Sequence, residues 1–118
     1  MLQPVSARPV IEEFVKGIGM ADGGFEKFDK AVHEQTGFHL DEQSPIEHVK
    51  AITVPTLVAQ VPDDTMSRPE DVQSIYDALT VDDKDLHWIR GTEQCVRGYN
   101  YFGEHPDIPT NWFDKHLK

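Results

Sequence analysis

The sequence holds a single cysteine, Cys95, and so no internal disulfide, which makes a reducing compartment such as the cytoplasm the expected location. No apolar stretch approaches the roughly eighteen residues that a membrane-spanning helix needs, and no membrane partner is expected. The opening Met1-Leu2-Gln3-Pro4 has neither the basic start nor the apolar core of a secretory leader. Cations are scarce. Lys and Arg number 11 against 21 Asp and Glu, a formal net charge of −10, and a field of that sign repels nucleic acid and anionic lipid alike. The histidines, at 33, 39, 48, 87, 105 and 116, lack the short spacing beside a carboxylate on one helical face that zinc sites use, so no metal or other cofactor is expected.

What is present reads as one domain. A chain of 118 residues is long enough to bury about two thirds of the surface it exposes when unfolded. The central stretch Ile52-Thr53-Val54-Pro55-Thr56-Leu57-Val58-Ala59-Gln60-Val61-Pro62-Asp63-Asp64 is an apolar, β-branched run closed by a turn, the pattern of a strand buried on both faces. Ser67-Arg68-Pro69-Glu70 then matches a capping box with proline near the first helical position, predicting a helix to about residue 79. A second strand is predicted over 86–90, after the acidic turn Asp82-Asp83-Lys84-Asp85. Strand, helix and strand in this order make a βαβ unit with parallel strands and a right-handed crossover.

Before this unit the pattern is helical. Ser6 and Pro9 suit the mouth of a helix carrying Val10, Ile11, Phe14, Val15 and Ile18 on one side, with Glu12, Glu13 and Lys16 opposite. Asp22-Gly23-Gly24 breaks it, and a second helix over 25–36 ends at Gly37, a candidate left-handed cap. Residues 38–43 read as loop, and Ser44-Pro45-Ile46-Glu47 opens a short helix to about residue 50. After the second strand, residues 91–103 contain three glycines and three aromatics and read as an irregular but packed loop. A last helix over 106–117 carries Ile108, Trp112, Phe113 and Leu117 as its core-facing stripe, with Pro109 tolerated in its first turn.

The order of these elements and the residues at their junctions resemble the C-terminal half of the α/β-hydrolase family. Val58-Ala59-Gln60-Val61-Pro62-Asp63-Asp64 followed by Pro69-Glu70 is similar to the loop that carries the family's triad acid, with Asp64 best placed and Asp63 next. Leu86-His87-Trp88-Ile89-Arg90 running into Gly91-Thr92 is similar to the approach to its triad histidine, and Trp112-Phe113-Asp114 to its final helix. By the same comparison residues 2–5 look like the end of the strand after the nucleophile helix, and residues 9–50 like a reduced lid or connecting segment. The resemblance implies an α/β fold: a truncated hydrolase-like sheet of two to three parallel strands with flanking helices, helical over residues 1–50 and βαβ plus a C-terminal helix over 51–118.

The departures concern chemistry. Acyl transfer on this fold needs a serine on a strained Gly-x-Ser-x-Gly turn, and no such motif exists; Ser6, Ser44, Ser67 and Ser74 read as helix caps or helix surface. After Gly91-Thr92 the chain reads Glu93-Gln94-Cys95, and Gln94 is no general base. Without two members of a triad almost all of its rate is lost.

Asp64 then reads either as a relic acid or as a turn residue accepting backbone hydrogen bonds. His105 as a shifted triad histidine and Cys95 as a nucleophile are the weaker alternatives. Tyr99, Tyr101 and Phe102 are read as lining a small-molecule pocket or an interface. A sheet cut to two or three strands exposes an edge and apolar faces, which makes a homodimer the expected state, either continuing the sheet or packing the helices of residues 9–36 on their counterparts. An interface of about 800 Å² per partner would be of standard size. The expected function is a non-catalytic, self-associating protein. The alternative is an ester or thioester hydrolase whose site is completed by another polypeptide or by an N-terminal half of a longer chain.

Overall fold

The computed structural model describes residues 1–92 and 95–117, and at Cys95 the backbone alone. Two strands, β1 (Thr56–Gln60) and β2 (Lys84–Trp88), pair in parallel, with Thr56 opposite Lys84 and Gln60 opposite Trp88. The ladder continues past β1, where the Ile89 N–H donates to Gln60 O at 2.7 Å. The crossover between them is a helix, Pro69–Ala78. Mixed α/β architecture with two parallel strands is therefore the observed class.

The apolar run forms β1 because both faces of that strand are covered. Val58, Ala59 and Gln60 are all buried. On one face Val58 packs with Val49, with Val72 and Ile75 from the inner side of the crossover helix, and with Leu79 just past its end. On the other face Ala59, Val61 and Ile89 form a second cluster, against which Tyr101 and Phe102 pack. The carbonyl end of the crossover helix carries no basic residue of its own. Lys84 supplies the charge instead, its Nζ donating to Leu79 O at 2.8 Å and Tyr76 O at 3.0 Å. This is why the second strand opens two residues before the predicted 86, inside the acidic turn.

The N-terminal residues complete the sheet. Leu2 bridges Ala59 in parallel; the Gln3 N–H donates to Ala59 O at 2.7 Å and the Ala59 N–H to Met1 O at 2.9 Å. The edge of β1 expected to be bare is thus covered by residues 1–3. On its outer side Leu2 makes no backbone hydrogen bond among the described residues.

Between residue 3 and β1 runs a helical arm: α1 (Ala7–Gly17), α2 (Gly24–Thr36), a 3₁₀ turn (Leu40–Gln43) and α3 (Pro45–Val49). With these numbered, the crossover helix is α4. Gly37 ends α2 at φ 79°, the left-handed cap its position predicts. Gly24 is needed where α1 and α2 meet, since a Cβ there would stand 3.0 Å from Val15 Cβ. Arg8 ties the arm together: Nε donates to Asp41 Oδ1 at 2.7 Å, Nη1 to Glu12 Oε1 at 3.3 Å, and the guanidinium lies 3.9 Å from the Phe25 ring centre. The apolar stripe of α1 is divided, however. Val15 is buried, while Phe14 is 48% and Ile18 56% exposed. The radius of gyration, 16.2 Å, exceeds the roughly 13.5 Å of a compact chain this long, as a projecting arm requires.

Three local readings are corrected. Residues 95–104 form a helix, α5 (Cys95–Glu104), rather than an irregular loop. Glycine inside a helix costs about 1 kcal/mol relative to alanine. At Gly98 that cost accompanies a close approach, because a Cβ there would lie 2.6 Å from Val61 Cγ2. Ser67 is not the cap of α4; Arg68 holds that position, without a side-chain cap. The final helix, α6 (Asp107–His116), half-buries Ile108 and Trp112 but leaves Phe113 and Leu117 at 55% and 78% exposure, so its predicted stripe is covered in part.

Candidate functional site

Parallel strands present their carboxyl ends together, and in open α/β sheets ligands sit just beyond those ends. Here that region gathers Asp64 after β1, Arg90 and Gly91 after β2, and α5.

Asp64 is buried at the foot of β1. Its Oδ1 accepts the Met66 N–H at 3.2 Å and its Oδ2 accepts the Ser67 hydroxyl at 3.0 Å. Ser67 Oγ in turn accepts from Gln60 Nε2 at 2.8 Å, and the same Nε2 reaches Val61 O at 3.3 Å. A chain of polar contacts therefore runs from the strand through the serine to the carboxylate and closes the 62–67 turn on itself. These bonds fit the turn reading of Asp64. No histidine hydrogen-bonds to it among the described residues. Ser67, 7% exposed, offers no hydroxyl to a substrate. Glu93 and Gln94, where the resemblance places a triad histidine, lie outside the described residues, as does the Cys95 side chain.

The three aromatic candidates divide. Tyr99 is exposed at 55%. Tyr101 and Phe102 touch, ring centres 5.5 Å apart, but they line different concavities. Tyr101 faces a polar cleft of about 450 Å³ with Arg90, Arg97, Asn100, Glu104 and His105. Its hydroxyl lies 3.1 Å from His87 Nε2, and its ring centre 4.4 Å from that of His105. His105 is thus at this cleft, with no hydrogen bond to Asp64. Phe102 belongs to an apolar groove of about 430 Å³, whose walls include Met1, Leu2, Val54, Trp112 and Phe113. Met1, Leu2, Val54 and Phe113 are all substantially exposed along it.

Several shifted groups lie in the arm, while at the apolar groove burial lowers the Met1 amino group. The Leu40 N–H, at 2.7 Å, and the His39 ring, also at 2.7 Å, hold the Asp29 carboxyl below its ordinary value. Asp29 raises His39 in return. Hydrogen bonds from Arg8 lower Asp41. These shifts report pins that hold α1 and α2 to the 3₁₀ turn.

Among the described residues no three His, Cys, Asp or Glu side chains converge where a metal ion could be held. No helix among them is long and apolar enough to cross a membrane. Sequence reasoning missed the Met66 N–H and the Ser67 hydroxyl as Asp64's partners and missed the cleft arginines, of which only Arg90 stands at a strand end. In comparison with known proteins, the chain matches no family model, no curated protein and no solved structure.

Proposed function

We propose that this chain is a non-catalytic, self-associating protein built on the end of an α/β-hydrolase-like sheet, and that its apolar groove and neighbouring strand edge receive a second copy. The observation that carries this reading is one continuous surface. The outer side of Leu2, without backbone partners among the described residues, runs into a groove walled by Val54, Trp112 and Phe113. An open edge beside apolar side chains is a template for strand pairing and burial at once. A two-fold copy would meet the same edge and groove with its own. The bonds that Asp64 accepts from Met66 and Ser67 give it a turn-closing use that fits a non-catalytic protein. A single cysteine suits a reducing compartment such as the cytoplasm.

Sedimentation equilibrium at micromolar concentration tests this. A dimer is expected, converted to monomer by Val54→Asp or Phe113→Asp and retained in Phe14→Asp. A monomeric wild-type chain overturns the reading, and dissociation by Phe14→Asp alone moves the interface to the helical arm.

A second reading is favoured by the parallel order of residues 1–3, β1 and β2, with a buried carboxylate at the carboxyl end of β1. On it, the same edge receives a polypeptide carrying a serine elbow, and the assembly is an ester or thioester hydrolase. Hydrolysis of a chromogenic short-chain ester by the purified chain, abolished in Asp64→Asn, would establish catalysis; background rates are expected.

A further inference from the structure

In a chain with 21 carboxylates and 11 Lys and Arg, a cation without a carboxylate partner is the exception. Arg8, Lys16, Lys30, Lys50, Arg68 and Lys115 all stand within 4.0 Å of an Asp or Glu oxygen. Lys84 is occupied by the carbonyls that end α4. Of the described cations this leaves Lys27, on the exposed side of α2, together with Arg90 and Arg97. Those two arginines line one cleft. Among the described residues Glu104 is the carboxylate that lines the cleft, and it makes no ion pair with either.

The placement follows from local structure. Ile89 is turned into the core, so Arg90 is turned out at the carboxyl end of the sheet. Arg97, Asn100, Tyr101 and Glu104 recur at i, i+3, i+4 and i+7 of α5 and so share one helical face. His105 follows directly, its ring on Tyr101.

We propose that this cleft binds a small molecule bearing a phosphate monoester. The donor count distinguishes phosphate from carboxylate. One arginine fork satisfies a carboxylate, whereas two guanidinium groups and the Asn100 amide match the terminal oxygens of a phosphate, which carries about −1.5 to −2 charges at neutral pH. A volume of about 450 Å³ is that of a metabolite site, with the Tyr101 ring as an apolar wall. The net charge of −10 excludes a polyanion such as nucleic acid, but it is spread over the surface and screened beyond about 8 Å at physiological salt, so the arginines dominate inside the cleft. Glu104 opposes the ligand's charge and limits affinity to the weak range. This inference goes beyond self-association and does not depend on it.

The test is a titration of the full chain with inorganic phosphate at pH 7.5 and constant ionic strength, followed by proton–nitrogen NMR. Saturable shifts of the Arg90, Arg97 and Asn100 side chains are expected at millimolar phosphate, with acetate at least tenfold weaker. Arg90→Gln and Arg97→Gln should each weaken phosphate tenfold or more while retaining the wild-type unfolding temperature, and Lys27→Gln should leave it unchanged. Non-saturating shifts spread over all cations, acetate binding equal to phosphate, or unaltered binding in both arginine variants would overturn the proposal.

Discussion

The Ser6 N–H donates to Asp71 Oδ2 at 2.8 Å, joining the mouth of α1 to the first turn of α4 across 65 residues. Ser6 is buried, so its amide has no ready substitute acceptor in water. Nearby, Arg68 Nη2 holds Glu12 Oε2 at 3.0 Å and Glu13 Oε1 at 3.2 Å, a second tie between the same helices. Hydrogen bonds to charged groups contribute about 1.5–3 kcal/mol, and an orphaned buried donor costs a similar amount. Asp71→Ala should therefore lower unfolding free energy in urea by about 2 kcal/mol, and Asp71→Asn, which keeps an acceptor oxygen, by clearly less.

Asp64→Ala removes the acceptor of the Met66 N–H and of the Ser67 hydroxyl in a buried turn. A loss of about 1–3 kcal/mol is expected in equilibrium unfolding, with Asp64→Asn milder. A carboxylate kept only for catalysis would behave oppositely, because active-site charges usually cost stability and their removal often raises it.

Gly98→Ala sets two effects against each other. Alanine gains about 1 kcal/mol of helix propensity. Its Cβ, however, would sit 2.6 Å from Val61 Cγ2 and 3.0 Å from Gln3 Nε2, and Val61 is fully packed. Overpacking of that kind costs about 1–3 kcal/mol, so net destabilisation by roughly 1 kcal/mol is expected as a lowered unfolding temperature. Gly103→Ala, with nothing within 4 Å of its Cβ, should instead raise it.

The Asp29–His39 pair gives the arm a pH window. His39 is raised above its ordinary 6.5 by the Asp29 hydrogen bond, with Glu42 and Asp41 adding to it, and the His33 ring is stacked 4.0 Å away. A raised histidine stabilises fully below 6.5 and stops doing so as pH climbs through its folded value. Asp29, lowered from 3.8 first by the Leu40 N–H and then by His39, stabilises above 3.8 and is lost as pH falls through its folded value. Arm stability should therefore be greatest between 3.8 and 6.5. In ring-proton NMR the His39 midpoint should lie above 6.5 and return toward it in Asp29→Asn.

Legibility in the sequence followed the range of the interactions. The βαβ unit was readable because the apolar, β-branched run through Val58 and Pro69 at the first turn of the helix are signals carried by adjacent residues. The Gly37 cap was readable because left-handed backbone favours glycine. Ser67 was misread because Ser-x-x-Glu spacing suits a cap, while the competing partners Gln60 and Asp64 become neighbours only after the turn closes. Helix α5 was hidden by its glycines, of which Gly98 answers to a contact with Val61, far away in sequence. The arginine cleft required knowing which cations already had partners, a property of the folded surface and of no motif.

The bridge between Leu2 and Ala59 makes the arm an excursion between neighbouring strands. Closing a flexible chain costs only about 0.6 kcal/mol more for each doubling of its length, and the helices of this arm, tied at Arg8 and Asp29, make the excursion stiffer than such a loop. The rate is another matter. The ladder of residues 1–3 forms only after its distant partner is in place, and this non-local contact, more than the βαβ unit, should govern how slowly the molecule completes folding.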